Sequence, residues 1–105
     1  MRDIALVYVL YPDAAAAGTA ARAMVERKLA ACANILPAGR SVYRWEGELR
    51  EEGEVPVLFK TMTPQVQALT SALAQAHPYD VPAILSWPAA APDGYALWVD
   101  AETES

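Results

Sequence analysis

The chain predicts an α+β fold, a ferredoxin-like split βαβ sandwich with a long central hairpin and a short C-terminal helix. Three observations lead there. The segments follow the order strand, helix, strand, strand, helix, strand, with a further helical stretch at the end; right-handed crossovers fold that order into a split βαβ sandwich. Residues 41–62 alternate with period two about Glu46-Gly47, the sequence form of a hairpin. Of the 105 residues, 54% are hydrophobic, and no repeat, linker or low-complexity segment interrupts them. One domain spanning 1–105 around a single core follows.

Each element has its own signal. Residues 4–11 form an unbroken apolar run, as expected of a central strand covered on both faces. Pro12-Asp13 ends it, with Asp13 as N-cap of a helix over 14–31 whose stripe is Ala17, Ala21, Met24, Val25 and Leu29. Residues 32–36 return to strand, and Pro37-Ala38-Gly39 marks a bend or bulge before the hairpin arm. Thr63-Pro64 starts a second helix, with Thr63 as its cap and Pro64 in its first turn, carried by Val66, Leu69, Leu73 and Ala76 and stopped by His77-Pro78. Residues 81–87 read as a short strand, 88–92 as a flexible connection, and 93–101 as a last helix with Tyr95, Trp98 and Val99 on one face.

The hairpin is too long for the body. Extended back to Asn34 its first arm has 13 residues, or roughly 40 Å. A compact domain of this length is only about 33 Å across. A projecting ribbon bearing Tyr43 and Trp45 needs a second surface, so an oligomer is expected. Five of the 13 acids (Glu46, Glu48, Glu51, Glu52 and Glu54) lie at and just after the turn, as a solvated tip that discourages edge pairing.

Net charge is −5, which argues against nucleic acid as partner. The lone Cys32 cannot form an internal disulfide, and the run 4–11 is too short to span a bilayer. The expectation is a soluble cytoplasmic protein with no membrane partner.

Chemistry is sparse. In this topology Cys32 follows the first helix and His77 ends the second, at opposite ends of the molecule and roughly 20 Å apart. A multi-ligand zinc or copper site within one chain is therefore excluded. His77 remains as a weak ligand shared in an oligomer or with carboxylates, against its more usual role as a packing histidine. Neither Cys32 nor any serine has a histidine partner, and no phosphate-cradling loop is present, so an enzyme is not expected. Arg40 beside Gly39 is the one gesture towards an acylphosphatase-like loop. The best ligand site is a cleft between subunits lined by Ser41, Tyr43, Trp45, Lys60, Tyr79 and Trp87.

Four ordered segments, LAACANI (29–35), SVYRWEGEL (41–49), EVPVLFKT (54–61) and HPYDVPAI (77–84), resemble the divalent-cation tolerance protein CutA family. The resemblance covers nearly the whole chain. It implies a homotrimer with the hairpins packed between subunits, no required cofactor, and a role in tolerance of divalent metals, Cu(II) above all. The trimer would be similar to that of PII-type signalling proteins, so sensing of a small molecule or partner protein at the cleft is the alternative. Copper-binding relatives carry a cysteine, a leading histidine and an acid where this sequence has Val9, Ala76 and Ala83. Only His77 is left of that set.

Overall fold

In the computed structural model, which describes residues 1–103, the chain runs β1 (Arg2–Tyr11), α1 (Ala14–Glu26), β2 (Cys32–Ile35), β3 (Gly39–Trp45), β4 (Glu48–Thr61), α2 (Val66–Ala76), β5 (Ile84–Ala91) and α3 (Asp93–Glu102). The sheet order is β2-β4-β1-β5, all neighbours antiparallel, with β3 paired to the outer part of β4. This is the predicted sandwich, its second strand divided into β2 and β3.

Alternate residues of the central strands build the core. Val7, Val9 and Tyr11 of β1 and Val55, Val57 and Phe59 of β4 pack against Ala17, Ala21 and Met24 of α1 and Leu69 and Leu73 of α2. On the other face, α3 covers one end only, through Ala96 and Val99 beside Ile4 and Ala91. The strand predicted to be covered on both sides is therefore fully covered on one. Leu6, Tyr8 and Leu10 stay half-buried, and Leu85 and Trp87 are exposed.

Four local expectations need correction. Helix α1 stops at Glu26 rather than 31, because Lys28 takes a left-handed φ of 60° and the Leu29 and Ala30 N–H groups turn back to the Met24 carbonyl. The Asp13 cap does form, its Oδ1 accepting from Ala16 N–H at 2.8 Å. Thr63 makes no side-chain cap; a 3₁₀ turn, Thr63–Gln65, leads into α2. Strand β5 lies further on than 81–87 and contains Pro88, opposite Ala5. An edge strand tolerates a proline because its outer side has no ladder to lose. On α3, Val99 is buried, whereas Tyr95 and Trp98 point outward with rings 5.7 Å apart.

The hairpin has the predicted turn. Glu46 and Gly47 have φ of 50° and 79° between the paired residues Trp45 and Glu48. Two consecutive left-handed residues make the type I′ turn that suits strand twist. Between the pairs Ile35↔Val57 and Gly39↔Glu54, one side advances four residues and the other three. One extra residue is thus accommodated at 36–38, a bulge. Beyond Glu54 all six outer residues of β4 are exposed, and the molecule measures 45 × 24 × 23 Å. The ribbon does outrun the body.

Candidate functional site

A group of partly buried polar side chains meets where β1 ends. Pro78 forces the residue before it out of helical geometry, so His77 closes α2 in an extended conformation. Its ring then lies at 4.7 Å from the Tyr11 ring, interplanar angle 22°, and is 9% exposed. Nε2 lies 2.7 Å from the Leu10 carbonyl oxygen, and Nδ1 accepts from the Tyr79 N–H at 3.1 Å. The Tyr79 hydroxyl donates to Glu54 Oε2 at 3.1 Å, and the Glu54 side chain belongs to a buried residue. Burial pushes the Tyr11 phenol up to about 12. Tyr79 is also raised to about 12, by burial first and then by its hydrogen bond to Glu54. The sequence singled out His77 but not Tyr11 or Glu54. Tyr11 looked like one more apolar strand residue, and Glu54 like one more acid of the solvated tip.

The residues predicted to line a cleft separate into groups. Ser41, Tyr43 and Trp45 share one side of the ribbon with Glu48, Arg50 and Glu52, and Tyr43 donates to Glu52 at 2.7 Å. That bond is the chief reason the Tyr43 phenol is raised above its usual value. Arg40 pairs with Glu51 at the surface, leaving nothing like a phosphate loop around it. Lys60 lies at the far end of β4, ten residues past Arg50, or about 33 Å of strand. It flanks Leu6 on one side as Trp87 does on the other, and its ammonium stands 5.6 Å above the Tyr95 ring. Cys32 pairs across from Lys60, so it is remote from His77 as the topology required. A groove of about 380 Å³ opens between α1 and α2, beside Tyr11, Thr19, Met24 and Pro78, and none of the predicted cleft residues lines it. Within the single chain, Ser41, Tyr43 and Trp45 stand about 33 Å of strand from Lys60 and share no pocket with it.

The family model for the CutA1 divalent ion tolerance protein matches residues 5–102. The chain belongs to the CutA1 family. It is 41% identical over 100 residues to the divalent-cation tolerance protein CutA of Pectobacterium atrosepticum, covering 94% of this chain and 91% of that protein. It is 37% identical to human protein CutA over 98% of its own length, yet spans only 58% of the human protein. The crystal structure of CutA1 from Ehrlichia chaffeensis superposes with a TM-score of 0.92 at 37% identity, covering 100% of this chain and 99% of the other.

For a CutA1 chain the question is whether its own side chains fit a divalent ion. Among the described residues no three His, Cys, Asp or Glu side chains come together. Val9 is a fully buried core residue, Ala76 is exposed on the last turn of α2, and Ala83 offers only a backbone carbonyl, which accepts from Leu10 N–H at 3.4 Å. Both nitrogens of His77 already have protein partners. Among the described residues the donor set does not fit a resident metal centre.

Proposed function

We propose that this CutA1 chain acts as a cytoplasmic homotrimer in divalent-cation tolerance, copper included, without catalysing a reaction and without a required cofactor. The observation that carries the reading is the hairpin. Its outer residues leave the body with Val42, Trp45 and Leu49 exposed, and a ribbon of that kind is not stable against solvent alone. The half-covered sheet face of Leu6, Tyr8, Leu10, Leu85 and Trp87 is a matching surface. Strands β2 and β5 end the sheet on its two sides, and pairing of unlike edges head to tail closes a ring rather than a two-fold dimer. Three copies is the number that the resemblance implies. Cu(II) affinity through His77 is weak in this reading, because a metal at Nδ1 has to displace the Tyr79 N–H.

A second reading is favoured by the placement of Lys60. It is about 33 Å of strand from the level of Tyr43 in its own chain, so the two line one cleft only when a neighbour supplies the hairpin. Tyr43 and Trp45 from one subunit with Lys60 from the next make a site for a small metabolite or a partner's segment.

Sedimentation equilibrium tests the assembly: a single species of three chain masses is expected, and a stable monomer rejects the reading. Calorimetric Cu(II) titration beside His77→Ala tests the metal. Binding weaker than micromolar is expected in both proteins, and tight binding lost in the variant contradicts it.

A further inference from the structure

The two ring nitrogens of His77 face groups of opposite character. Leu10 offers a carbonyl oxygen, so Nε2 carries the proton and donates to it at 2.7 Å. Tyr79 offers a backbone N–H, so Nδ1 is bare and accepts at 3.1 Å. One neutral tautomer satisfies both, and stacking on Tyr11 fixes the ring plane. A metal needs a nitrogen lone pair, and this ring has none to give while both bonds hold.

The connection continues outward from Tyr79. Its hydroxyl reaches Glu54, which lies one residue past the last β1–β4 pair, Tyr11↔Val55, and opposite Gly39, the first residue of β3. Glu54 is the outermost buried residue of β4, and everything from Gly53 to Glu48 is exposed. A carboxylate covered this far is costly to leave without a donor. The Tyr79 bond therefore grips the ribbon at the point where it leaves the body.

We propose that His77 is a latch for the projecting hairpin rather than a metal ligand: it ties the end of β1, through Tyr79, to Glu54 at the hairpin root. Its ring spans two backbone groups, the Leu10 carbonyl and the Tyr79 N–H, and so sets where the Tyr79 hydroxyl stands. The hairpin's exit angle, and with it the placing of Tyr43 and Trp45, depends on this chain of bonds.

The test uses the full chain and amide hydrogen exchange of residues 39, 40, 53 and 54, with residues 7 and 59 as internal controls. Asn places an oxygen near the position of Nδ1, and Gln places an amide N–H near that of Nε2. His77→Asn therefore keeps the acceptor for Tyr79 N–H, whereas His77→Gln keeps the donor to Leu10 and releases Tyr79. Tyr79→Phe deletes only the hydroxyl and leaves ring packing and backbone intact. Each variant breaks one link of the chain, so exchange at the root rises roughly tenfold in His77→Asn, His77→Gln and Tyr79→Phe alike. Controls stay unchanged. Root exchange that is unaltered in Tyr79→Phe, or in either His77 variant, overturns the proposal. Ring ¹⁵N signals of His77 give the second readout: they hold the single Nε2–H pattern when stoichiometric Zn(II) is added, and a Zn(II)-induced shift at Nδ1 overturns it.

Discussion

At the scale of single residues, the phenols beside His77 make an alkaline prediction. Tyr11 and Tyr79 are raised from 10.0 to about 12 in the folded protein. Between those values the unfolded chain has released protons that the native chain keeps, so stability falls as pH rises through that window and is unaffected below it. Thermal melting followed from about pH 9 to about pH 12 should show this decline, and Tyr11→Phe should make it shallower. An equal slope in the variant would mean that Tyr11 ionises in the native state as freely as in the unfolded one. The place of His77 at the end of the second helix was legible in the sequence, since Pro78 stops the helix there. Its partners were not. A carbonyl, a backbone N–H and an acid from the far side of a hairpin leave no pattern in the sequence; only the packed structure brings them within 3.1 Å.

Among the elements, the hairpin turn and the α1 cap can be tested separately. Gly47 has φ of 79°, and a β-branched side chain there is strained even though its surroundings are open. Gly47→Val should cost about 1–2 kcal/mol, read as a lower melting temperature with faster amide exchange confined to the hairpin. Asp13→Ala should cost about 1 kcal/mol by removing the bond to Ala16 N–H. Elements with strong chemical punctuation were legible: Pro12-Asp13, Glu46-Gly47 and His77-Pro78 fall at element ends as expected. Those without it were misplaced. Lys28 ends α1 in a conformation usually marked by glycine, so the alanine-rich pattern ran on too far. Pro88 suggested a break because its place at the outer edge of the sheet is a tertiary fact.

For the molecule as a whole, the open sheet face decides between a free protomer and an assembly. Leu85 is 59% exposed here. In an isolated protomer Leu85→Asp should change stability by no more than about 0.5 kcal/mol. In the proposed trimer the same change places a carboxylate in an interface, and sedimentation should show dissociation together with a melting temperature that depends on concentration. Unaltered mass in the variant would exclude this face from the assembly. That the ribbon outruns the body could be read from arm length against body size, and the 45 Å long axis agrees. Which face stayed open could not be read, because the run 4–11 is apolar on both sides and hides the alternation that burial reveals.

The extra residue at 36–38 gives the connection a parity. Side chains alternate along a strand, so one added position exchanges the two sides of everything that follows. In β2 the odd residues Ala33 and Ile35 pair with Phe59 and Val57, on the helix-covered side of β4. In β3 the odd residues Tyr43 and Trp45 pair with Arg50 and Glu48, which share the side of Leu58 and Lys60. The bulge absorbs the one-residue mismatch between β2 and the register that the turn imposes on β3, and the aromatic row lies on the open side of the sheet. Because the two-residue turn holds Trp45 opposite Glu48 and Tyr43 opposite Arg50, deleting Ala38 alone would remove the bulge, bring β2 and β3 into one continuous register with β4, and leave Tyr43 and Trp45 on the open side.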